Sequence, residues 1–433
     1  MKKFFVIFLL ISFQVQAQQR LTLEEAINIA LKNSFDIQLA KNNAEVNTIL
    51  NNYGVAGGLP AVTGTAGDLE QISTINQKFV GGDSTRTVNA NSAASNNLNI
   101  GISANLILYN GMRIVSTKKR LQELEDQSEQ LLNAQIQFTI AEVMSKYYDI
   151  IRQQEYATTI DSSIQISKLR LDILQARMSV GLSNNADIFQ AQIDLNKLLQ
   201  TKQIQQLTVD LAKTELLRVL ALKADSSITI NDSIRVESMM KLETVIDNLS
   251  TNPDVIAANQ QIKINELIEK ETAAQRYPTL SVNAGYTYGR TQNAAGQLLL
   301  NQRYGPQAGL NLSIPIYYGS ALRRQQKVAE INTKNAAIQK DALVNDYVNN
   351  AVKQYQTYVI TLQQLEKERE NYKITQDLIN LVVKRFELRV ATIIELREAQ
   401  QSFEETSYRL TNLNFAAKAA EIELKRLSNK LTF

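Results

Sequence analysis

The chain has 433 residues with no cysteine, no histidine and no tryptophan. That composition excludes histidine-based acid–base catalysis, a thiolate nucleophile, a disulfide framework and the usual nitrogen- and sulfur-ligated zinc sites. Lys+Arg is 46 against Asp+Glu 43, so net charge gives no support to a nucleic-acid partner; 44% hydrophobic and 21% charged residues exclude compositional disorder.

Residues 1–17 read as a secretory signal peptide. Lys2 and Lys3 precede an apolar run from Phe4 to Phe13 interrupted only by Ser12, and Val15-Gln16-Ala17 forms a small-residue cleavage site. Cleavage would remove the two lysines, leaving 44 basic residues against 43 acidic and a net charge of +1. No other apolar run reaches the length of about 18 residues that a spanning helix needs, so any membrane crossing must use strands.

Glycine and proline divide the rest. All five prolines lie outside 61–252 and 316–433, Gly181 is the only glycine between Gly111 and Gly285, and none follows Gly319. Free of breakers, Met112–Val180 and Ala321–Val390 read as helices roughly 100 Å long. Leu121, Leu124, Ser128, Leu131, Gln135 and Phe138 recur at three- and four-residue steps, the pattern of coiled-coil packing. A turn and a second helix follow each, Asp187–Leu222 and Ile393–Leu427. Two further helices are predicted at about Leu23–Asn52 and Leu242–Arg276, and Asp225–Glu237 reads as a short strand pair.

Four strands are predicted at about 59–70, 97–109, 279–290 and 307–317. Leu98, Ile100, Ile102, Ala104, Leu106 and Leu108 alternate with Asn97, Asn99, Gly101, Ser103 and Asn105. The same period places Leu280, Val282, Ala284, Tyr286 and Tyr288 opposite Ser281, Asn283, Gly285, Thr287 and Gly289, and Leu310, Leu312 and Ile314 opposite Gly309, Asn311 and Ser313. The polar face is small and almost uncharged, which suits a water-filled lumen, and Tyr109, Tyr277, Tyr304, Tyr317 and Tyr318 are placed near strand ends as an aromatic girdle. Residues 70–97 and Asn293–Arg303 read as loops between the strands.

The sequence repeats itself. At an offset of 208, Tyr109 and Gly111 fall on Tyr317 and Gly319, Tyr147 on Tyr355, Arg177 on Arg385, Ala191-Gln192 on Ala399-Gln400, and Glu215-Leu216 with Arg218 on Glu423-Leu424 with Arg426. The chain thus reads as repeats 18–240 and 241–433, each in the order helix, strand, strand, long helix, turn, helix. Four membrane strands cannot close a barrel, so several copies must pool them: two would give about eight strands, three about twelve.

A series of motifs follows this order: Leu21-Thr22-Leu23-Glu24-Glu25-Ala26 with Ala30-Leu31 and Asn33; Arg177-x-x-x-Gly181-Leu182-x-x-x-x-Asp187 with Ala191; Asn252-Pro253 with Ala257; Tyr277-Pro278-x-Leu280; Pro315-Ile316-Tyr317 with Gly319; and Glu395-Leu396-x-x-Ala399. The series resembles the TolC-type outer membrane efflux family over nearly all of the mature chain. The resemblance implies a mixed, mostly α fold: a periplasmic α-barrel of long helices joined to a 12-stranded β-barrel shared by a homotrimer, four strands per chain. It implies an exit duct for tripartite efflux or type I secretion, completed by a periplasmic adaptor protein and an inner-membrane pump. It also implies that the turns Val180-Gly181-Leu182 and Val390-Ala391-Thr392 receive the adaptor.

Glu395 and Glu398 share a helical face and match the family's acidic aperture positions; with Asp187 they form the candidate pore aperture. A trimeric ring of them would attract cations and raise some of their pKa values. Thr392-Ile393-Ile394-Glu395 is equally a capping box, and Asn184 with Asp187 a second cap. The arginine and tyrosine that brace the family's closed aperture fall here on Ala391 and Phe386, with Arg389 nearby as a substitute. The terminal Phe433 matches the final aromatic of many outer membrane barrels, but it follows a helix.

No phosphate-binding GxxxxGK[ST] loop, catalytic residue, cofactor or metal site is expected, so transport energy must come from a partner. The alternatives are a periplasmic coiled-coil scaffold or adhesin without a pore, which leaves the strands unexplained, and a carboxylate-only enzyme such as a glycosidase, for which no acid pair stands out.

Overall fold

The computed structural model describes residues 19–81, 84–237 and 240–431; residues 1–17, expected to be a signal peptide, and Phe433 lie outside them. In chain order the elements are β1 (Gln19–Arg20), α1 (Leu23–Asn33), α2 (Phe35–Leu50), β2 (Ala61–Gly81), β3 (Ser84–Tyr109), α3 (Arg113–Ser179), α4 (Asn185–Val219), β4 (Ile228–Thr229), α5 (Leu242–Asn248), a 3₁₀ turn (Leu249–Thr251), α6 (Pro253–Ala274), β5 (Thr279–Asn293), β6 (Leu300–Ser313), α7 (Ala321–Glu387) and α8 (Ile393–Leu427).

The repeat is visible in the element bounds. Helices α3 and α7 have 67 residues each, α4 and α8 have 35 each, and all four start and end at an offset of 208. Before the hairpins the offset is 218, from Ala61 to Thr279 at the first strand of each half, so the stretch from that strand to the long helix is ten residues longer in the first half.

Those residues overturn the expected loop at 70–97. The segment is paired instead: Leu69 faces Asn97, Phe79 faces Arg86 and Gly81 faces Ser84 in one long antiparallel hairpin. Its alternation is between polar residues and scattered Ile, Val and Phe, so the segment is poor in the apolar periodicity by which a strand is recognised. Strand β5 also extends to Asn293, and β6 starts at Leu300.

Two predicted helices are broken. Ser34 takes an extended conformation (ψ 126°) between α1 and α2. Asn252 does the same (ψ 130°) because it precedes Pro253, whose ring disfavours a helical neighbour. The predicted strand pair in Asp225–Glu237 is half right. Only Ile228–Thr229 is a strand, and its partner is Gln19–Arg20, in parallel. On α3, Leu121 and Ser128 are buried as expected, but Leu131 and Phe138 are exposed, and none of the described residues covers that part of the stripe.

The chain divides into two compact units that cut across the repeats. Of the described residues, one comprises 19–42, 130–256 and 342–431, the other 43–129 and 257–341. In the first, three apolar clusters form the core. One joins α1, α3 and α4 around Ile27, Tyr147, Ile150, Leu216 and Leu220; a second joins α5, α7 and α8 around Val245, Tyr358 and Leu424; the third lies where α3, α4, α7 and α8 meet at their turns. A buried charge network crosses this unit. The Glu421 carboxylate is fully buried (0% exposed); it accepts from Lys418 and Lys425, each at 3.0 Å, and from the Glu237 backbone N–H at 3.0 Å.

In the second unit the four long strands form one sheet in the order β2-β3-β5-β6. Register gives it two different faces. Val62, Ala104, Ala284 and Ala308 lie in one row, followed by Gly64, Ile102, Tyr286 and Pro306, and then Ala66, Ile100, Tyr288 and Tyr304. The opposite face carries Thr63, Ser103, Gly285 and Gln307, then Thr65, Gly101, Thr287 and Gly305. Gly285 is required there: a Cβ would lie 2.6 Å from the Ile102 carbonyl oxygen.

Beyond Tyr288 and Tyr304 the apolar face ends. Its next row is Asp68, Leu98, Arg290 and Gln302, and Asn96 donates to both Asp68 (2.6 Å) and Glu70 (2.8 Å). Tyr304 therefore stands inside β6, not at its end, because the strands run on past the apolar band. From Leu280 to Tyr288 the band measures about 27 Å along the strand, or roughly 20 Å at the tilt of outer-membrane strands, a little under the height of their apolar belt.

Candidate aperture and docking turns

The candidate site lies where the long helices turn, in the first unit. Both turns have the same construction. At the end of α3, the Leu182 N–H donates to the Arg177 carbonyl (2.8 Å) and the Gly181 N–H to the Met178 carbonyl (3.0 Å). At the end of α7, the Val390 N–H donates to the Arg385 carbonyl (2.8 Å) and the Arg389 N–H to the Phe386 carbonyl (3.2 Å). This is the Schellman closure, which needs a left-handed residue just past the helix. Gly181 supplies it at φ +75°, and Arg389, its repeat mate, at φ +65°.

The next helices start alike. Asn184 caps α4, its side chain accepting from the Asp187 N–H at 2.9 Å. Thr392 caps α8, accepting from the Glu395 N–H at 3.2 Å, while the Glu395 carboxylate accepts from the Thr392 N–H at 2.6 Å. The capping box read from the sequence is thus formed. The hydrogen bond from the Thr392 backbone holds the Glu395 carboxyl below its ordinary value, assisted by the Thr392 hydroxyl and by the charge of Arg385. Within one chain this direction is opposite to that expected of a crowded ring.

Glu395 is exposed on the first turn of α8 and Glu398 on the second, and Asp187 is half-buried on the first turn of α4. Among the described residues no group of three or more carboxylates is close enough to hold a metal ion, so one chain does not gather these acids. Of the docking-turn residues, Val180, Gly181, Leu182, Val390 and Thr392 are exposed, whereas Ala391 is buried.

Ala391 and Phe386 belong to the apolar cluster beneath the turns, with Leu174, Ala191, Ile379, Val382, Leu396, Ala399 and Phe403. Phe386, which stands where the family has a bracing aromatic, has its ring in this core. Sequence reasoning missed Arg177 as a cross-link. Its guanidinium stacks on the Phe386 ring, 4.4 Å from the centroid, and donates to the Phe386 carbonyl. Higher on α3, buried Arg170 pairs with Asp194 of α4 at 2.9 Å. The only sequence signal for either pair was an arginine inside an otherwise apolar or small-residue stripe.

The fold is that of outer membrane channels. The CmeC outer membrane channel of Campylobacter jejuni superposes with a TM-score of 0.77 at 14% identity, over 97% of this chain and 90% of that one. The outer membrane protein VceC of Vibrio cholerae gives 0.76 at 15%, over 94% and 95%. The open state of the MtrE outer membrane channel of Neisseria gonorrhoeae gives 0.72 at 15%, over 95% and 89%. An uncharacterized protein of Haemophilus influenzae is 23% identical over 371 residues, 82% of this chain and 76% of the relative.

Residues 26–221 and 246–430 match the family model described as outer membrane efflux protein, and the chain belongs to that family. It is accordingly an efflux channel protein of the outer membrane with a periplasmic extension, and its family and structural neighbours are channels rather than enzymes.

Proposed function

We propose that three copies of the chain form one channel-tunnel, the passive exit duct of a tripartite efflux or type I secretion system. The carrying observation is the open sheet. Strands β2 and β6 are both edges, and one face of the sheet exposes Val62, Ile102, Tyr286, Tyr304, Leu310 and Leu312. An unpaired edge cannot be left in lipid, so the backbone groups of β2 and β6 need partners from other copies. Three copies give twelve strands, enough for a water-filled passage lined by the Gly/Ser/Thr/Asn face. The helices point the same way. Phe189, Ile193, Ile204, Leu207 and Leu211 of α4, and Ile360, Ile374, Leu378 and Leu381 of α7, are exposed apolar stripes in a single chain and would be covered between protomers.

In this reading Glu395, Glu398 and Asp187 line the periplasmic aperture, and the turns Val180–Leu182 and Val390–Thr392 meet a periplasmic adaptor that joins the duct to an inner-membrane pump. A scaffold without a pore would leave the amphipathic sheet without a role.

The test is electrophoresis of the membrane-extracted protein with and without heating, together with planar-bilayer recording. A heat-dissociable trimer with ohmic conductance is expected. A protein released without detergent, or a monomer that conducts alone, would overturn the proposal.

A further inference from the structure

Where the membrane sheet meets the helices, the chain carries charge of one sign. Residues 46–60, 110–122, 272–278 and 314–329 span the strand–helix junctions and contain no aspartate or glutamate. They contain eight cations instead. Arg113, Lys118, Lys119 and Arg120 open α3; Arg276 precedes β5, and Arg323, Arg324 and Lys327 open α7. The junctions lie side by side within the second unit. A Cβ on Gly111 would meet Tyr277 at 2.7 Å, one on Gly58 would meet Ile114 at 3.1 Å, and Arg276 donates to Gln326 at 3.1 Å.

Some of these cations have partners. Arg120 pairs with Glu271 and Lys327 with Glu330, both at 2.7 Å, and Lys118 donates to Asn51. Arg113, Lys119, Arg323 and Arg324 are exposed, and their side chains have no hydrogen bond or ion pair among the described residues. Helix stability does not explain them, because a cation at the start of a helix opposes its dipole. Every other described α-helix has an acid in its first turn, whereas α3 and α7 have none.

The free cations share a face with apolar residues. On α3, Lys118 reaches Asn51 beyond the end of α2, and Arg120 reaches Glu271 of α6, so both flanks are occupied. Away from those flanks, Met112, Val115 and Lys119 follow at three- and four-residue steps, all exposed. At the repeat offset, Val115 and Lys119 fall on Arg323 and Lys327, and Ile316, Tyr317 and Tyr318 are exposed just ahead of them. Apolar and aromatic residues that give way to cations along one face suit hydrocarbon giving way to headgroups. A water-filled lumen would not call for exposed Met, Val and Ile.

We propose that this basic patch binds anionic phospholipid in the periplasmic leaflet of the outer membrane, with Lys119, Arg323 and Arg324 over the headgroups. The patch continues the apolar face of the sheet at headgroup depth. Lys119 and Lys327 lie six residues into their helices, about 9 Å from the start. That is within the roughly 8–10 Å over which a charged surface acts in physiological salt. The proposal rests on the membrane placement of the sheet and not on the number of copies.

The experiment reconstitutes the full-length protein into bilayer discs of equal parts phosphatidylcholine and phosphatidylglycerol, extracts it in mild detergent and measures the ratio of the two lipids retained. The proteins are wild type, Lys119→Gln/Arg323→Gln/Arg324→Gln, the charge-keeping Lys119→Arg/Arg323→Lys/Arg324→Lys, and Lys353→Gln/Lys367→Gln/Lys373→Gln. The last removes three exposed cations further along α7. Wild type should retain phosphatidylglycerol over phosphatidylcholine by about fivefold at low salt, the ratio that one cation near a charged surface supplies. The charge-keeping and distant variants should match it, and the first triple variant should retain both lipids nearly equally. About 1 M salt, which shortens screening to about 3 Å, should abolish the wild-type preference.

A wild type without preference, or a first triple variant with the wild-type ratio, overturns the proposal. Subunit dissociation of that variant in detergent with its lipid ratio unchanged also overturns it and assigns the cations to a contact between copies. Should that variant not fold, Lys119→Gln alone decides: a reduced ratio supports the patch and an unchanged one overturns it. A wild type that does not enter the bilayer removes the membrane reading and the patch with it, an outcome separate from a membrane-bound protein indifferent to lipid charge.

Discussion

Gly181 and Arg389 occupy the same place in the two halves of the repeat, each left-handed at the end of a 67-residue helix, one without a side chain and one with a long charged one. The backbone demand is equal and the strain is not, because a Cβ in this conformation crowds the following carbonyl. Arg389→Gly should therefore raise stability by about 1 kcal/mol, and Gly181→Ala should lower it by about the same amount. Thermal unfolding of the detergent-solubilised protein reads both; equal midpoints for the two variants would contradict the assignment.

The caps give a second pair. Thr392→Ala and Asn184→Ala should each cost about 1 kcal/mol. Only the Thr392 variant should alter the acid limb of stability. The Glu395 carboxyl is held below its ordinary value by Thr392, so its contribution is present above that ordinary value and is lost as pH falls through the depressed one. Acid denaturation followed by circular dichroism should show this loss in wild type and its absence in Thr392→Ala. An unchanged acid midpoint would deny the box a role in solution.

Neutralising Glu395 and Glu398 tests the proposed pore role separately from the capping role of Glu395. Glu395→Gln with Glu398→Gln should reduce cation preference and block by multivalent cations, measured as reversal potentials in salt gradients. Glutamine at 395 retains a carbonyl acceptor for the Thr392 N–H, so trimer yield should be kept. Unaltered selectivity would remove both residues from the pore.

The buried Glu421 should be far less tolerant than any surface acid. Glu421→Leu strands Lys418, which is 5% exposed, without its partner, and a loss of about 3 kcal/mol or more is expected. Glu421→Leu combined with Lys418→Met should recover much of that stability. Failure of the double variant to exceed the single one in denaturant unfolding would show that the network acts otherwise.

Gly285→Val should abolish correct pairing of β3 with β5, since the new Cβ would meet the Ile102 carbonyl. Loss of heat-dissociable trimers checks this; normal assembly would place the register elsewhere.

Much of this architecture is legible along the chain, for local reasons. A helix of 67 residues needs only the absence of Gly and Pro; a membrane strand needs period 2 with unlike faces; the Thr392 box is closed by residues three apart. The 208-residue offset was readable because Tyr109, Arg177 and Arg218 kept their places relative to Tyr317, Arg385 and Arg426. The long first hairpin was not readable, because its residues carry little apolar alternation and are strands through their partners. The breaks at Ser34 and Asn252 are single-residue conformations inside helix-permissive sequence.

By itself, then, the sequence determined most of the kinds of element, their order and their duplication, since each follows from spacing and backbone chemistry within a few residues. Packing alone decided that Phe386 is core and that Arg177 reaches its carbonyl from 209 positions away. Contacts of that separation depend on how four helix ends stack, which no local periodicity encodes.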